Sequence, residues 1–248
     1  MSQNLSAALS AANKIRDQFF PTASACLLAG SVVRDEATAY SDLDLVVVFE
    51  SVENAVRQSF TFEGWPVEAF IHDAQTLEYF FREVDRPSGV PSLPNMVNEG
   101  IEIPDETECG GLLKGLATQI LEEGPIPWGQ KERENSRYAI SDMVEDIREP
   151  RNSDELRIVV SNLYAATADH FFRSQNQWSA KGKSIPRRLM SVDPEFYQRF
   201  TDAFENAFTK EDTASVIHLC ERVLEPDGGF LFQGYIREAP REWRMPDP

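Results

Sequence analysis

Apolar residues recur at two different spacings along this chain, and the change of spacing divides it. Leu5, Ala8, Leu9, Ala12, Ile15 and Phe19 lie three or four positions apart, which predicts a helix closed by Pro21. Ala25-Cys26-Leu27-Leu28-Ala29 is a short apolar run that stops at Gly30-Ser31 and predicts a buried strand. Leu43-Asp44-Leu45-Val46-Val47-Val48-Phe49, rich in β-branched residues, predicts a second strand. Residues 60–62 and 67–71 predict a strand pair around a turn at Gly64-Trp65-Pro66. Residues 76–83 read as a helix. Residues 86–104, with four prolines, read as a long loop of little regular structure.

Beyond residue 130 the spacing is helical throughout. Ile140, Met143, Val144 and Ile147 make one stripe. Leu156, Val159, Val160, Leu163, Thr167 and Phe171 make a second behind the cap-like Ser153-Asp154. Phe196, Phe200, Ala203, Phe204 and Phe208 follow Asp193-Pro194, and Val216, Leu219, Cys220 and Val223 make a fourth stripe. Four such helices predict an antiparallel bundle. The expected fold is therefore α+β: a small mixed sheet with flanking helices, followed by an all-α helical bundle. The Gly/Pro-rich stretch at residues 122–129 places the boundary between domains 1–124 and 125–248.

Charge sharpens this division. The 248 residues include 41 acids and 24 bases, a formal net charge of −17. Residues 1–124 hold 20 of the acids and only 7 of the bases. Such a balance argues against duplex nucleic acid as a partner, since phosphate contacts need a basic footprint. A nucleotide arriving as a metal complex is not excluded by it. The first residues show neither a basic nor an apolar leader region, and no apolar run approaches membrane-spanning length, so the expectation is a cytoplasmic protein without a membrane partner. Cys26, Cys109 and Cys220 are widely spaced and predict neither a disulfide framework nor a zinc site.

The strongest chemical signal is Gly30-Ser31 followed by Asp42-Leu43-Asp44. Residues two apart on a strand share a face, so Asp42 and Asp44 are expected side by side. Adjacent carboxylates repel unless a cation lies between them, and Mg²⁺ prefers such hard oxygen ligands. Glu68, on the neighbouring predicted strand, offers a third carboxylate. The residues after Gly30 are expected to begin a helix, whose N–H groups and the Ser31 hydroxyl would face anionic oxygens. Three carboxylates around two metals suit in-line attack on a phosphoryl group. The Asp-x-Asp of nucleotide-sugar glycosyltransferases is a competing reading, but it leaves Gly30-Ser31 and Glu68 unused.

An apolar-Gly-Ser segment, then Arg34, then Ser41-Asp42-x-Asp44 before an apolar strand resembles the signature of the DNA polymerase beta-like nucleotidyltransferase superfamily. Within it the chain is similar to small bacterial enzymes such as the kanamycin and other aminoglycoside nucleotidyltransferases. The motif covers about the first 75 residues, and the helical half is similar only in type. The resemblance implies that Gly30 and Ser31 hold the phosphates of an NTP substrate. It implies that Asp42 and Asp44 bind two Mg²⁺ ions and that Glu68, where many members carry Asp, completes the metal site. Arg34 would contact phosphate, unless it pairs with Asp35 or Glu36. By the same analogy a carboxylate outside the triad would serve as general base, and Glu145 on a helix polar face is the candidate.

One local reversal of charge stands out. Residues 170–192 contain no acid and five bases, Arg173, Lys181, Lys183, Arg187 and Arg188. Arg34 is the one base of the first half beside the motif, so further positive charge for a triphosphate is expected from Lys181 or Lys183. The alternative is a solvated basic loop. His72, His170 and His218 show no ligand spacing and are expected to be structural or exposed. The reaction these residues predict moves a nucleoside monophosphate from NTP to an acceptor hydroxyl, on a small molecule or a protein. The acidic field weakly favours a cationic, aminoglycoside-like acceptor. The alternative is a regulatory, antitoxin-like nucleotide-binding module.

Overall fold

A computed structural model of the chain describes residues 3–245. It divides into two compact units, Met1–Pro125 and Ile126–Pro248.

The first unit opens with helix α1 (Gln3–Phe19) and strands β1 (Ala25–Ala29), β2 (Leu43–Val48), β3 (Val56–Phe62) and β4 (Trp65–His72). Helix α2 (Ala74–Tyr79) runs through a π-turn (Phe80–Asp85) into α3 (Arg86–Ser88), followed by α4 (Ser92–Glu99), strand β5 (Ile101–Glu102) and α5 (Glu108–Glu123). The five strands order as β3-β4-β2-β1-β5. Only β2 and β4 pair in parallel, so the sheet is mixed, as expected.

Alternation along each strand sends its side chains to two faces. On one face Cys26, Leu28, Leu43, Leu45, Val47, Val67 and Ala69 pack with Ala8, Ala12 and Ile15 of α1. On the other, α4 and α5 pack against β1. Strand β2 is thus covered on both sides, and Asp44 is its one residue that is not buried. A carboxylate held within an otherwise buried strand is costly unless it is paired with positive charge or hydrogen-bonded.

Two expectations are corrected in this unit. The hairpin turn lies at Glu63-Gly64, whose φ values of 47° and 88° suit a two-residue turn of primed type. Trp65 and Pro66, expected in the turn, instead begin β4, with Pro66 opposite Thr61 ahead of the ladder to β2. The segment 86–104 is not a loop, for it contains α3, α4 and β5. Its prolines sit where they do little harm to these helices. Pro91 precedes α4 and Pro94 falls in its first turn, where the missing N–H has no intrahelical partner to lose, while Pro87 falls in the last turn of the run from α2 through the π-turn, which ends at Ser88.

In the second unit the described helices are α6 (Gln130–Arg148), α7 (Ser153–Ser174), α8 (Ile185–Val192), α9 (Pro194–Lys210) and α10 (Ala214–Leu224). The predicted stripes supply the core: Ile140, Val144, Leu156, Val160, Leu163, Phe200, Phe204, Val216 and Cys220 are buried together. Helix α7 is capped by Asn152, not by the expected Ser153-Asp154. The Asn152 side chain accepts the N–H groups of Asp154 and Glu155 at 3.0 and 2.9 Å. Helix α8 was not among the four predicted helices. Its eight residues, about two turns, bury only Ile185 and Leu189, too short a stripe to register as periodicity. No described helix is long and apolar enough to cross a membrane.

Candidate active site

Strand β1 delivers the chain to Gly30, and β2 returns it antiparallel so that Ala29 pairs with Asp44. Gly30 has φ of 79°, in the left-handed region that a residue with a Cβ enters at a cost. A Cβ at this position would lie 2.0 Å from Asp44 Oδ2. Glycine is therefore required twice, once for the turn and once to let the carboxylate approach the backbone. The residues that follow form a turn and not the expected helix. Val33 and Arg34 donate to the Gly30 carbonyl at 3.2 and 3.3 Å, and Glu36 donates to that of Ser31 at 2.9 Å. Thr38, Tyr40 and Ser41 continue as irregular chain, so the helical hydrogen bonding is not propagated.

The parallel pairing of β2 with β4 sets Asp44 beside Glu68. Asp42 lies just ahead of β2, and ligand oxygens of Asp42, Asp44 and Glu68 all fall within 4.8 Å of one another. All three are half-buried. Burial, reinforced by the negative charges of Asp42 and Glu68, pushes the Asp44 carboxyl up to about 6, against the opposing pull of Arg34 and Arg57. The cluster is thus short of positive charge. Its donor set, three hard anionic oxygens converging on one point, fits a divalent cation such as Mg²⁺.

Two partners of this cluster escaped the sequence reading. Arg57, on β3, is ion-paired with Glu68 and lies 5.1 Å from the Phe70 ring centroid. The expectation that Arg34 was the one base beside the motif is therefore corrected. The signal was available in the hairpin: with the turn at residues 63–64, Ser59 faces Glu68 and Arg57 lies diagonal to it on the same face. Glu99, at the end of α4, is the second partner. It is ion-paired with Arg34, which also holds Glu36 at 3.1 Å. Burial raises the Glu99 carboxyl above its usual range, while Arg34 and the Gly30 N–H favour its anion. The carboxylate at the end of α4 thus braces the Gly30 turn, a role hidden once residues 86–104 were read as a loop.

Residues 9–90 match the nucleotidyltransferase domain family. Over these residues, about a third of the chain, the protein is similar to nucleotidyltransferase domains. Gly30, Ser31, Arg34, Asp42, Asp44 and Glu68 all lie inside the matched segment. Among solved structures the chain is similar to a nucleotidyltransferase-like protein from Exiguobacterium sibiricum 255-15, at 16% identity and a TM-score of 0.43, covering 88% of this chain and 73% of that one. A comparison with curated proteins gives no match.

The remaining predicted site residues belong to the second unit. Glu145 lies exposed on α6, bonded to Arg148 at 2.9 Å. Lys181 and Lys183 are exposed on either side of Gly182, where a 3₁₀ turn leads into α8. Arg173, in contrast, is buried, donating to the Ile126 carbonyl at 2.8 Å and lying over the Trp128 ring. His170 is buried against Ser136 and Asp227, and His218 is exposed, so neither belongs to a ligand cluster among the described residues. A cavity of about 580 Å³ in this unit is lined by Phe171, Phe196, Arg199, His218 and Arg222 among others, and holds none of the predicted site residues.

Proposed function

We propose that this protein transfers a nucleoside monophosphate from Mg·NTP to an acceptor hydroxyl, releasing pyrophosphate. The observation that carries the reading is the convergence of Asp42, Asp44 and Glu68 within 4.8 Å, with Asp44 held against the Gly30 turn. Asp42, Asp44 and Glu68 would hold two Mg²⁺ ions, which when bound supply charge neutralisation at the reacting phosphoryl group. Gly30 and Ser31 would seat the leaving end of the triphosphate through backbone N–H groups and the Ser31 hydroxyl. Arg34 would then exchange part of its pairing with Glu36 and Glu99 for phosphate oxygen.

In the transfer itself the acceptor oxygen bonds to the α-phosphorus as the α–β bridging P–O bond breaks. Pyrophosphate leaves, and the hydroxyl proton passes to a carboxylate of the site and on to water. Glu145 would have to give up its Arg148 partner to take that proton. The reaction needs a compartment supplied with NTP and Mg²⁺, which the cytoplasm provides.

Lys181 and Lys183 form the second part of the proposal, as triphosphate contacts. What supports it is the acid-free run of residues 170–192 in a chain of net charge −17. Calorimetry tests both parts together. Mg·ATP or Mg·GTP should bind the wild type and not Asp42→Ala at matched stability. A Lys181→Met/Lys183→Met double variant should bind at least about tenfold more weakly, the loss expected for a charge-assisted contact of about 1.5–3 kcal/mol. Equal binding by the double variant would return these lysines to a solvated loop. Equal binding by Asp42→Ala would remove the metal-site reading.

A further inference from the structure

Along β4, Glu68, Phe70 and His72 occupy every second position and so share one face of the sheet. Past Glu68 this face opens into a cavity of about 260 Å³, lined by Arg57, Phe70, His72, Phe80, Val84 and Leu93 among others. Arg57 joins it to the carboxylate cluster, pairing with Glu68 while its guanidinium lies over Phe70. Phe80 meets the His72 ring edge-on at 5.1 Å, and burial keeps that imidazole in its neutral form. The one carboxylate in the lining, Asp85, is itself buried and accepts the Leu93 N–H at 2.9 Å. The walls are thus aromatic and aliphatic, with a single cation at the mouth beside Glu68.

Size and position narrow what this cavity can hold. Pockets for whole ligands begin at roughly 300 Å³, so this one suits a single ring of a larger molecule. In the sheet order, β1 with Gly30 lies on one side of β2, and β4 and β3 lie on the other. In-line displacement puts the attacking and leaving oxygens on opposite sides of the phosphorus. With the leaving pyrophosphate at Gly30-Ser31, the acceptor approaches from the β4–β3 side, where the cavity lies.

We propose that this cavity is the acceptor subsite and takes a flat, uncharged aromatic ring whose hydroxyl is presented at Glu68. The assignment rests on the nucleotidyl-transfer reading for its role, though not for its binding. It replaces the cationic acceptor that net charge suggested: the far field of the protein is acidic, but the cavity wall offers a cation and no free carboxylate among its described lining.

The test uses the full chain and benzyl alcohol as the ring-bearing probe, with kanamycin as the polycationic one. Amide NMR spectra should show saturable shifts with benzyl alcohol at residues such as Phe70, His72 and Leu93, without metal or nucleotide present. Kanamycin should not shift these amides. Val84→Trp and Ser92→Trp each place a ring against the cavity from a lining residue whose own side chain is exposed, so both should fold. Each should weaken benzyl alcohol at least tenfold. Absence of saturable shifts, unchanged binding in both folded variants, or kanamycin occupying the same amides would overturn the proposal. Failure of the underlying reading shows separately: benzyl alcohol binding intact while Mg·ATP fails to bind the wild type would overturn the acceptor role and leave a plain ring pocket.

Discussion

Asp44→Asn should raise the thermal stability of the metal-free protein at pH 7.5 while abolishing metal-dependent nucleotide transfer. The two effects have one cause. Asp44 lies in an otherwise buried strand beside Asp42 and Glu68, and its carboxyl is pushed up to about 6 by burial and by those charges. Its value in the unfolded chain is near 3.8. Between these values the native state binds the extra proton, so this group's contribution to stability falls as pH rises from about 4 through 6. Above pH 6 the ionised carboxylate costs the fold about 1–3 kcal/mol, at about 1.4 kcal/mol per pH unit of displacement. Asparagine removes the charge and keeps the shape. Melting temperature should therefore rise by about 3 °C or more at pH 7.5, and the gain should disappear below pH 4. Transfer should fall by at least about a hundredfold, the scale of losing one electrostatic element of a reacting site. A variant that is less stable at pH 7.5 would mean that Asp44 holds the fold together and is no frustrated ligand.

Gly30→Ala should be nearly as damaging to transfer, through geometry alone. The left-handed backbone at φ 79° costs a Cβ-bearing residue about 1–2 kcal/mol. Beyond that, the new Cβ would meet Asp44 Oδ2 at 2.0 Å, so the carboxylate must move away from the site. Gly64→Ala provides the control, because Gly64 has φ of 88° and nothing within 4 Å of the added Cβ. Both variants should lose about the same backbone increment in chemical denaturation. Only Gly30→Ala should weaken Mg·NTP binding, by at least tenfold. Equal effects on nucleotide binding would show that the closeness of Gly30 to Asp44 has no functional weight.

How much of this was legible in the sequence depended on how local the signal was. Strand β1, the β2 run and the stripes of α6, α7, α9 and α10 follow from hydrophobic periodicity, since burial of one face dictates spacing. The carboxylate cluster was legible in part for the same reason: Asp44 interrupts a run that is otherwise wholly apolar. Proline misled where position mattered more than identity. Pro91 and Pro94 read as breakers in 86–104, yet at a helix start they cost little, and α4 formed. That error hid Glu99, which braces Arg34 and the Gly30 turn. A two-residue error at the hairpin turn hid Arg57 in the same way, because cross-strand neighbours are fixed by register and a small slip reassigns them. Helix α8 was lost for lack of length, its stripe being two residues.

Release of pyrophosphate decides whether Asp42, Asp44 and Glu68 together support metal-dependent nucleotidyl transfer. Wild type, Asp42→Asn and Glu68→Gln would each be incubated with the four NTPs labelled at the α-phosphate, with Mg²⁺ or with chelator, and with ring-bearing and polycationic acceptors. Products would be read by label and by mass. Wild type with Mg²⁺ should place label on an acceptor and release stoichiometric pyrophosphate, and neither should come from the variants or under chelation. Transfer that persists in Asp42→Asn, or a wild type that binds no Mg·NTP and releases no pyrophosphate with any nucleotide, would contradict that reading.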